Sequence, residues 1–127
     1  MATCCGDTDE RAGNIPGRYD LMTRYSGDTW TGVNFYIIIN DEPLDLTGCS
    51  IRMAFRKDNK LKKVEWLLTS EADQITIDDN KISILPRLLT LDPGKYVYDL
   101  EVTFPNDFVR TFIWGNFQVE RDVTPHE

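Results

Sequence analysis

A hydrophobic period of two residues begins near Trp30 and runs, with interruptions, to Glu120. Successive side chains of an extended strand point to opposite faces, so this period predicts strands with one dry face. Val33, Phe35, Ile37 and Ile39 share one parity and form the first of them. Asp41, Glu42 and Pro43 then mark a turn, and Leu44 and Leu46 lead to Gly48. In the next run Ile51, Met53 and Phe55 alternate with Ser50, Arg52 and Arg56. The cluster from Lys57 to Lys60 breaks the pattern, and Val64, Trp66 and Leu68 resume it. Two short runs, Ile75 to Ile77 and Ile82 to Ile84, flank Asp78-Asp79-Asn80-Lys81 and predict a tight hairpin, because Asp and Asn tolerate left-handed backbone. Pro86 ends that hairpin, and residues 87–90 are expected to form one helical turn.

Asp92-Pro93-Gly94 is a strong turn signal ahead of two long strands, Tyr96 to Phe104 and Phe108 to Glu120, which are separated by Pro105-Asn106-Asp107. About seven strands and no amphipathic helix define an all-β chain. The expectation is a small antiparallel β-sandwich, with immunoglobulin-like and jelly-roll topologies both open. Residues 1–26 are rich in Gly and charge and lack an apolar period, so they read as an extended N-terminal arm. The sandwich is placed at residues 27–124, with a short tail at 125–127.

Charge and length narrow the function classes. The chain has 127 residues, 14 Lys and Arg against 21 Asp and Glu, and a net charge of −7. A chain this long buries about two-thirds of its unfolded surface and needs no disulfide or metal staple. The acidic balance argues against nucleic acid, since phosphate binding needs concentrated Lys and Arg. The longest apolar run, Phe35 to Ile39, is far short of the roughly 20 residues of a membrane helix, and the first 25 residues show no secretory signal. The expectation is a protein with no membrane or nucleic-acid partner, made in the cytoplasm.

Catalytic and metal-binding equipment is sparse. The only imidazole, His126, sits at the opposite end of the chain from Cys4 and Cys5, so no zinc site and no Ser/His or Cys/His arrangement is expected. Cys49 opens a strand-like run and reads as a small apolar residue. Of the carboxylate pairs, Asp78 and Asp79 fall in a hairpin turn and Asp99 and Glu101 on a polar strand face, neither the setting of a catalytic acid. No enzyme activity and no cofactor are expected.

The last strand holds an anomaly. If Val109, Thr111, Ile113, Phe117 and Val119 face the core, then Phe108, Phe112 and Trp114 point outward. Either a β-bulge at Gly115 returns Phe112 and Trp114 to the core, or the strand has a sticky outer face for another protein. Trp30, Tyr36 and Ile38 share the minority face of the first strand, and if the two strands are neighbours all of these residues form one patch. The candidate partner-binding residues are therefore Trp30, Tyr36, Ile38, Phe112 and Trp114, with Arg18, Tyr19, Arg24 and Tyr25 of the arm.

Gly27-Asp28-Thr29, then Pro43-Leu44-Asp45-Leu46-Thr47-Gly48 running into Ile51-Arg52-Met53, come first in an ordered series. Leu91-Asp92-Pro93-Gly94-Lys95-Tyr96-Val97-Tyr98-Asp99-Leu100 follows, then Trp114-Gly115-Asn116-Phe117-Gln118-Val119 with Asp122-Val123-Thr124. In order and spacing the series resembles the β-sandwich modules of tailed-bacteriophage virions, above all the N-terminal domain of baseplate upper proteins and tail-fibre attachment modules. The resemblance implies a non-enzymatic virion protein that meets other virion proteins, such as portal, neck, tail or baseplate subunits, in a symmetric multi-copy ring. Those modules continue into a linker, coiled coil or receptor-binding region. This sequence ends at Glu127, which favours an adaptor, neck, collar or decoration role. A carbohydrate-binding module using exposed aromatics is the alternative.

Overall fold

Strands form wherever alternation persists, and the turns between them fall at residues that tolerate unusual backbone. The structure, a computed structural model, describes residues 17–59 and 63–121 and the backbone of residues 2–4. Cys5, His126, most of the expected arm and the expected tail lie outside the described residues. The strands are β1 (Ala2–Cys4), β2 (Gly17–Arg18), β3 (Arg24–Tyr25), β4 (Thr29–Trp30), β5 (Val33–Ile39), β6 (Glu42–Pro43), β7 (Ser50–Lys57), β8 (Val64–Thr69), β9 (Ile75–Asp78), β10 (Lys81–Ile84), β11 (Arg87–Leu88), β12 (Gly94–Thr103) and β13 (Val109–Glu120). The chain is all-β with several, mainly antiparallel, sheets.

The larger sheet runs β2-β13-β12-β7-β8, with β3 also on β13. The smaller runs β1-β5-β10-β9, with β6 on β5, and β4 pairs with β11 as a separate ribbon. Three pairings are parallel: β1 on β5, and β2 and β3 on β13. Asp79, at φ 55°, makes the β9–β10 hairpin with a two-residue turn, as the sequence predicts. Leu46 is fully buried and Gly48 follows at φ 84°, so the Leu-Thr-Gly segment anchors the chain and then reverses it.

One buried cluster draws on both sheets: Phe35, Ile37 and Ile82 of the smaller meet Phe55, Tyr98, Leu100 and Phe117 of the larger. Each large side chain withdrawn in this way contributes about 1.5–3 kcal/mol. The β5, β7 and β12 parities follow the sequence reading. Val64 does not, because a register shift between Phe55 and Arg56 turns it to the exposed side while Trp66 and Leu68 face inward. Residues 87–90 are not a helical turn. Arg87 and Leu88 pair with Trp30 and Thr29, and Leu89 N–H donates to the Asp28 carbonyl at 2.9 Å.

A bulge in β13, at a different residue from the one expected, buries Phe112 and leaves Trp114 36% exposed. Leu100 faces Ile113 while Glu101 faces Thr111, so Phe112 is the extra residue. Phe112 and Ile113 are consecutive and both buried, and the strand before them is flipped. Val109, expected inside, is 58% exposed.

Gly17 to Ser26 also differ from a free-standing arm. They form a strap along β13, in which Tyr19 N–H donates to Trp114 O (2.8 Å), Leu21 N–H to Asn116 O (2.9 Å) and Ser26 N–H to Glu120 O (2.9 Å). An edge strand held by backbone bonds on one side needs no apolar period, which is why the sequence pattern does not reveal it.

Candidate functional site

The nine candidate residues divide three ways. Trp30 is in the core at 3% exposure, its ring 5.6 Å from Phe117, 5.7 Å from Trp66 and 6.0 Å from Phe55. Phe112, at 1%, is buried by its bulge. Phe112 cannot meet a partner from there, and Trp30 shows only the small part of its surface that lines an open cavity beside Tyr25. Parity could not be carried from β5 back to Trp30, because Gly32, at φ 81° and tight against the Ile84 carbonyl, resets the chain between β4 and β5.

Tyr36 and Ile38 are half-buried on the side of β5 opposite Phe35 and Ile37, and Lys81 Nζ lies 6.0 Å from the Tyr36 ring. Trp114 projects from β13 with Arg18 over its indole at 5.0 Å. Because β5 and β13 belong to different sheets, the single patch expected from neighbouring first and last strands does not form.

The strap residues differ among themselves. Tyr19 turns inward, its ring edge-on to Phe35 at 5.8 Å, and its carbonyl accepts the Tyr98 hydroxyl hydrogen bond. Arg18 and Tyr25 are exposed and Arg24 is half-buried. Asp20 Oδ1 accepts the Asn116 backbone N–H at 2.9 Å and Arg18 Nε at 3.1 Å. These donors, the Asn116 N–H foremost, hold the Asp20 carboxyl below its ordinary value. A carboxyl lowered on folding adds stability that is full above its unfolded value and is lost as pH falls through the folded value. Acidification through that range should therefore loosen the strap. Amide exchange at Asn116, corrected for its intrinsic rate, is expected to accelerate relative to Leu100, and Asp20→Asn should abolish this pH dependence. An unchanged profile in Asp20→Asn would remove the carboxylate from this role.

Of the carboxylate pairs, Asp99 meets Arg56 at 3.1 Å on a half-buried face, and Asp79 serves the hairpin through its backbone, its carbonyl accepting the Leu46 N–H at 2.9 Å. Burial pushes the Cys49 thiol up, with the nearby Asp45 adding to the effect, consistent with a small apolar side chain. Among the described residues no cluster of His, Cys, Asp and Glu could hold a metal ion.

Of the residues that stand out most, Phe108 is expected to point outward and Tyr25 is a candidate from the sequence, whereas Val109, Leu88 and Met22 were missed by sequence reasoning. Phe108 is 70% exposed and Val109 58%, at the tip of the β12–β13 hairpin. At the far end of β13, Tyr25 (45%), Leu88 (55%) and Met22 (68%) are exposed near an open cavity of about 280 Å³ lined by Arg24, Tyr25, Asp28, Trp30 and Leu89. The available signal was Phe108 itself, an aromatic directly after the Pro-Asn-Asp turn. No family model matches this chain, and no curated protein does.

Proposed function

We propose that this chain is a non-enzymatic protein–protein interaction module that works in many copies, as an adaptor or attachment subunit in the tail, neck, collar or baseplate region of a tailed-bacteriophage virion. Its fold is read as a two-layer β-sandwich, a reading supported by the single core cluster to which both sheets contribute. The observation that carries the function is the placement of exposed apolar residues at the two ends of β13, outside a core that is already complete without them. Solvent-facing Phe108, Val109, Leu88 and Met22 contribute little to folding and are suited to contacts with other chains. The virion assignment rests on the ordered sequence series alone. A net charge of −7 suits a subunit kept soluble in the host cytoplasm before assembly.

The test is assembly. The purified chain is expected to join a ring or particle when neighbouring virion proteins are supplied, read by electron microscopy and by mass. Catalysis by the isolated chain, or its absence from purified virions, would defeat the reading.

The carbohydrate-binding alternative is favoured by Trp114, 36% exposed and beside Asn116 and Gln118 on the same strand face. Against it, the Arg18 guanidinium occupies the indole face a sugar would stack on. Glycan titration should leave tryptophan fluorescence unchanged, whereas saturable quenching lost in Trp114→Ala would favour the sugar-binding reading.

A further inference from the structure

The exposed apolar residues lie at opposite ends of one strand, and their surroundings are complementary. At one end, Phe108 is held rigidly: its N–H donates to Asn106 Oδ1 at 3.1 Å and its carbonyl accepts the Phe104 N–H at 2.8 Å. A peg fixed by its own backbone loses little entropy on docking. Asp107 precedes it at φ 70°, and its carboxylate has no partner among the described residues. At the other end, the cavity of about 280 Å³ has Trp30 and Leu89 in its lining, the exposed Tyr25 as a wall, and Arg24 and Asp28 as its charged residues. Among the described residues, the Arg24 guanidinium contacts the Thr23 carbonyl and the Met22 sulfur and no carboxylate.

The 12 residues of β13 separate these ends by roughly 40 Å at about 3.3 Å per residue. The peg of one molecule cannot reach its own cavity. We propose that Phe108 of one copy enters the Arg24–Tyr25–Asp28 cavity of a second copy, with Asp107 pairing with Arg24 across the contact. The occupant is a second copy because the peg has Asp107 and Arg110 beside it and the cavity lining has Arg24 and Asp28, so each end offers the charges that the other can pair with. Such a contact is head-to-tail, so it propagates to a closed ring or an open filament instead of stopping at a symmetric dimer. It rests on the multi-copy reading above and names the surface that reading leaves open.

The experiment uses the full chain at 0.15 M salt, where a Debye length of about 8 Å screens the repulsion between copies of net charge −7. Sedimentation and native mass spectrometry should detect concentration-dependent assembly of the wild type. Phe108→Asp, with an intact cavity, and Tyr25→Asp, with an intact peg, should each weaken association at least about 10-fold while melting like the wild type. Their mixture should form a 1:1 dimer that grows no further, because one competent peg and one competent cavity remain. Arg24→Asp should weaken assembly and Asp107→Arg in the same chain should restore it.

A mixture that stays monomeric would overturn the head-to-tail geometry. Wild-type-like assembly by Phe108→Asp would overturn the contact while leaving the multi-copy reading intact. A wild type that stays monomeric alone, yet binds another virion protein through Phe108, would overturn the second copy as occupant in favour of that protein. A chain that neither self-associates nor joins a particle would defeat both readings.

Discussion

Trp30→Ala is expected to cost about 3–5 kcal/mol, the range for removing a large aromatic from a packed interior. Trp30 is 3% exposed and its ring meets Phe55, Trp66 and Phe117, so truncation leaves a void walled by three rings that cannot all collapse into it. It also sits in β4, whose pairing with β11 holds Arg87 and Leu88, so the loss spreads to the Asp28–Leu89 backbone bond. Against a total stability of about 5–15 kcal/mol this is a large fraction. Trp114→Ala is the control, since its indole is 36% exposed and should cost about 1 kcal/mol or less. Denaturant midpoints at constant slope report the difference. Equal midpoints for the two variants would show that Trp30 is not the core residue its burial makes it.

That contrast marks where the sequence was legible. Alternation in β5, β7 and β12 assigned Phe35, Ile37, Ile51, Met53, Tyr98 and Leu100 to the inside, because a period of two is unambiguous within an unbroken strand. It failed wherever one residue was gained or a chain was reset. The bulge at Phe112 shifts the parity of the strand before it, so Val109 emerges and Phe112 is buried, and no residue type in Arg110-Thr111-Phe112 announces it. Gly32 does the same to Trp30. Of the candidate site, Arg18, Tyr25 and Trp114 were legible as exposed residues, whereas the peg at Phe108 and the cavity around Tyr25 depend on which turns and strands end together in space. Gly115 was a sound residue to single out, but its role is not a bulge. It stands in register with Tyr98, and the strap crosses directly over it.

For that reason Gly115→Ala carries the second large effect, a loss of about 2–4 kcal/mol. A methyl at this position would lie 2.6 Å from the Tyr19 carbonyl carbon and 3.0 Å from Tyr98 Cε1, with the Tyr19 oxygen closer still. The obstruction is backbone and a buried ring, neither of which can swing aside as a flexible side chain would. The backbone at Gly115 has no positive φ, so the penalty is steric and not conformational. The strap should therefore lift, breaking the Tyr19 and Leu21 bonds to β13, the Asp20 contact with Asn116 and the edge-on packing of Tyr19 against Phe35. Trypsin gives a local readout, because Arg18 and Arg24 both lie within the strap, and cleavage there should accelerate in Gly115→Ala. Tyr98→Phe separates clash from bond loss: alone it removes the hydroxyl donor to Tyr19 and should cost about 1 kcal/mol. Combined with Gly115→Ala it should add almost nothing, since a lifted strap has already lost that bond. Full additivity of the two, or unchanged protection of Arg18 and Arg24 in Gly115→Ala, would mean that the strap is not seated over this glycine.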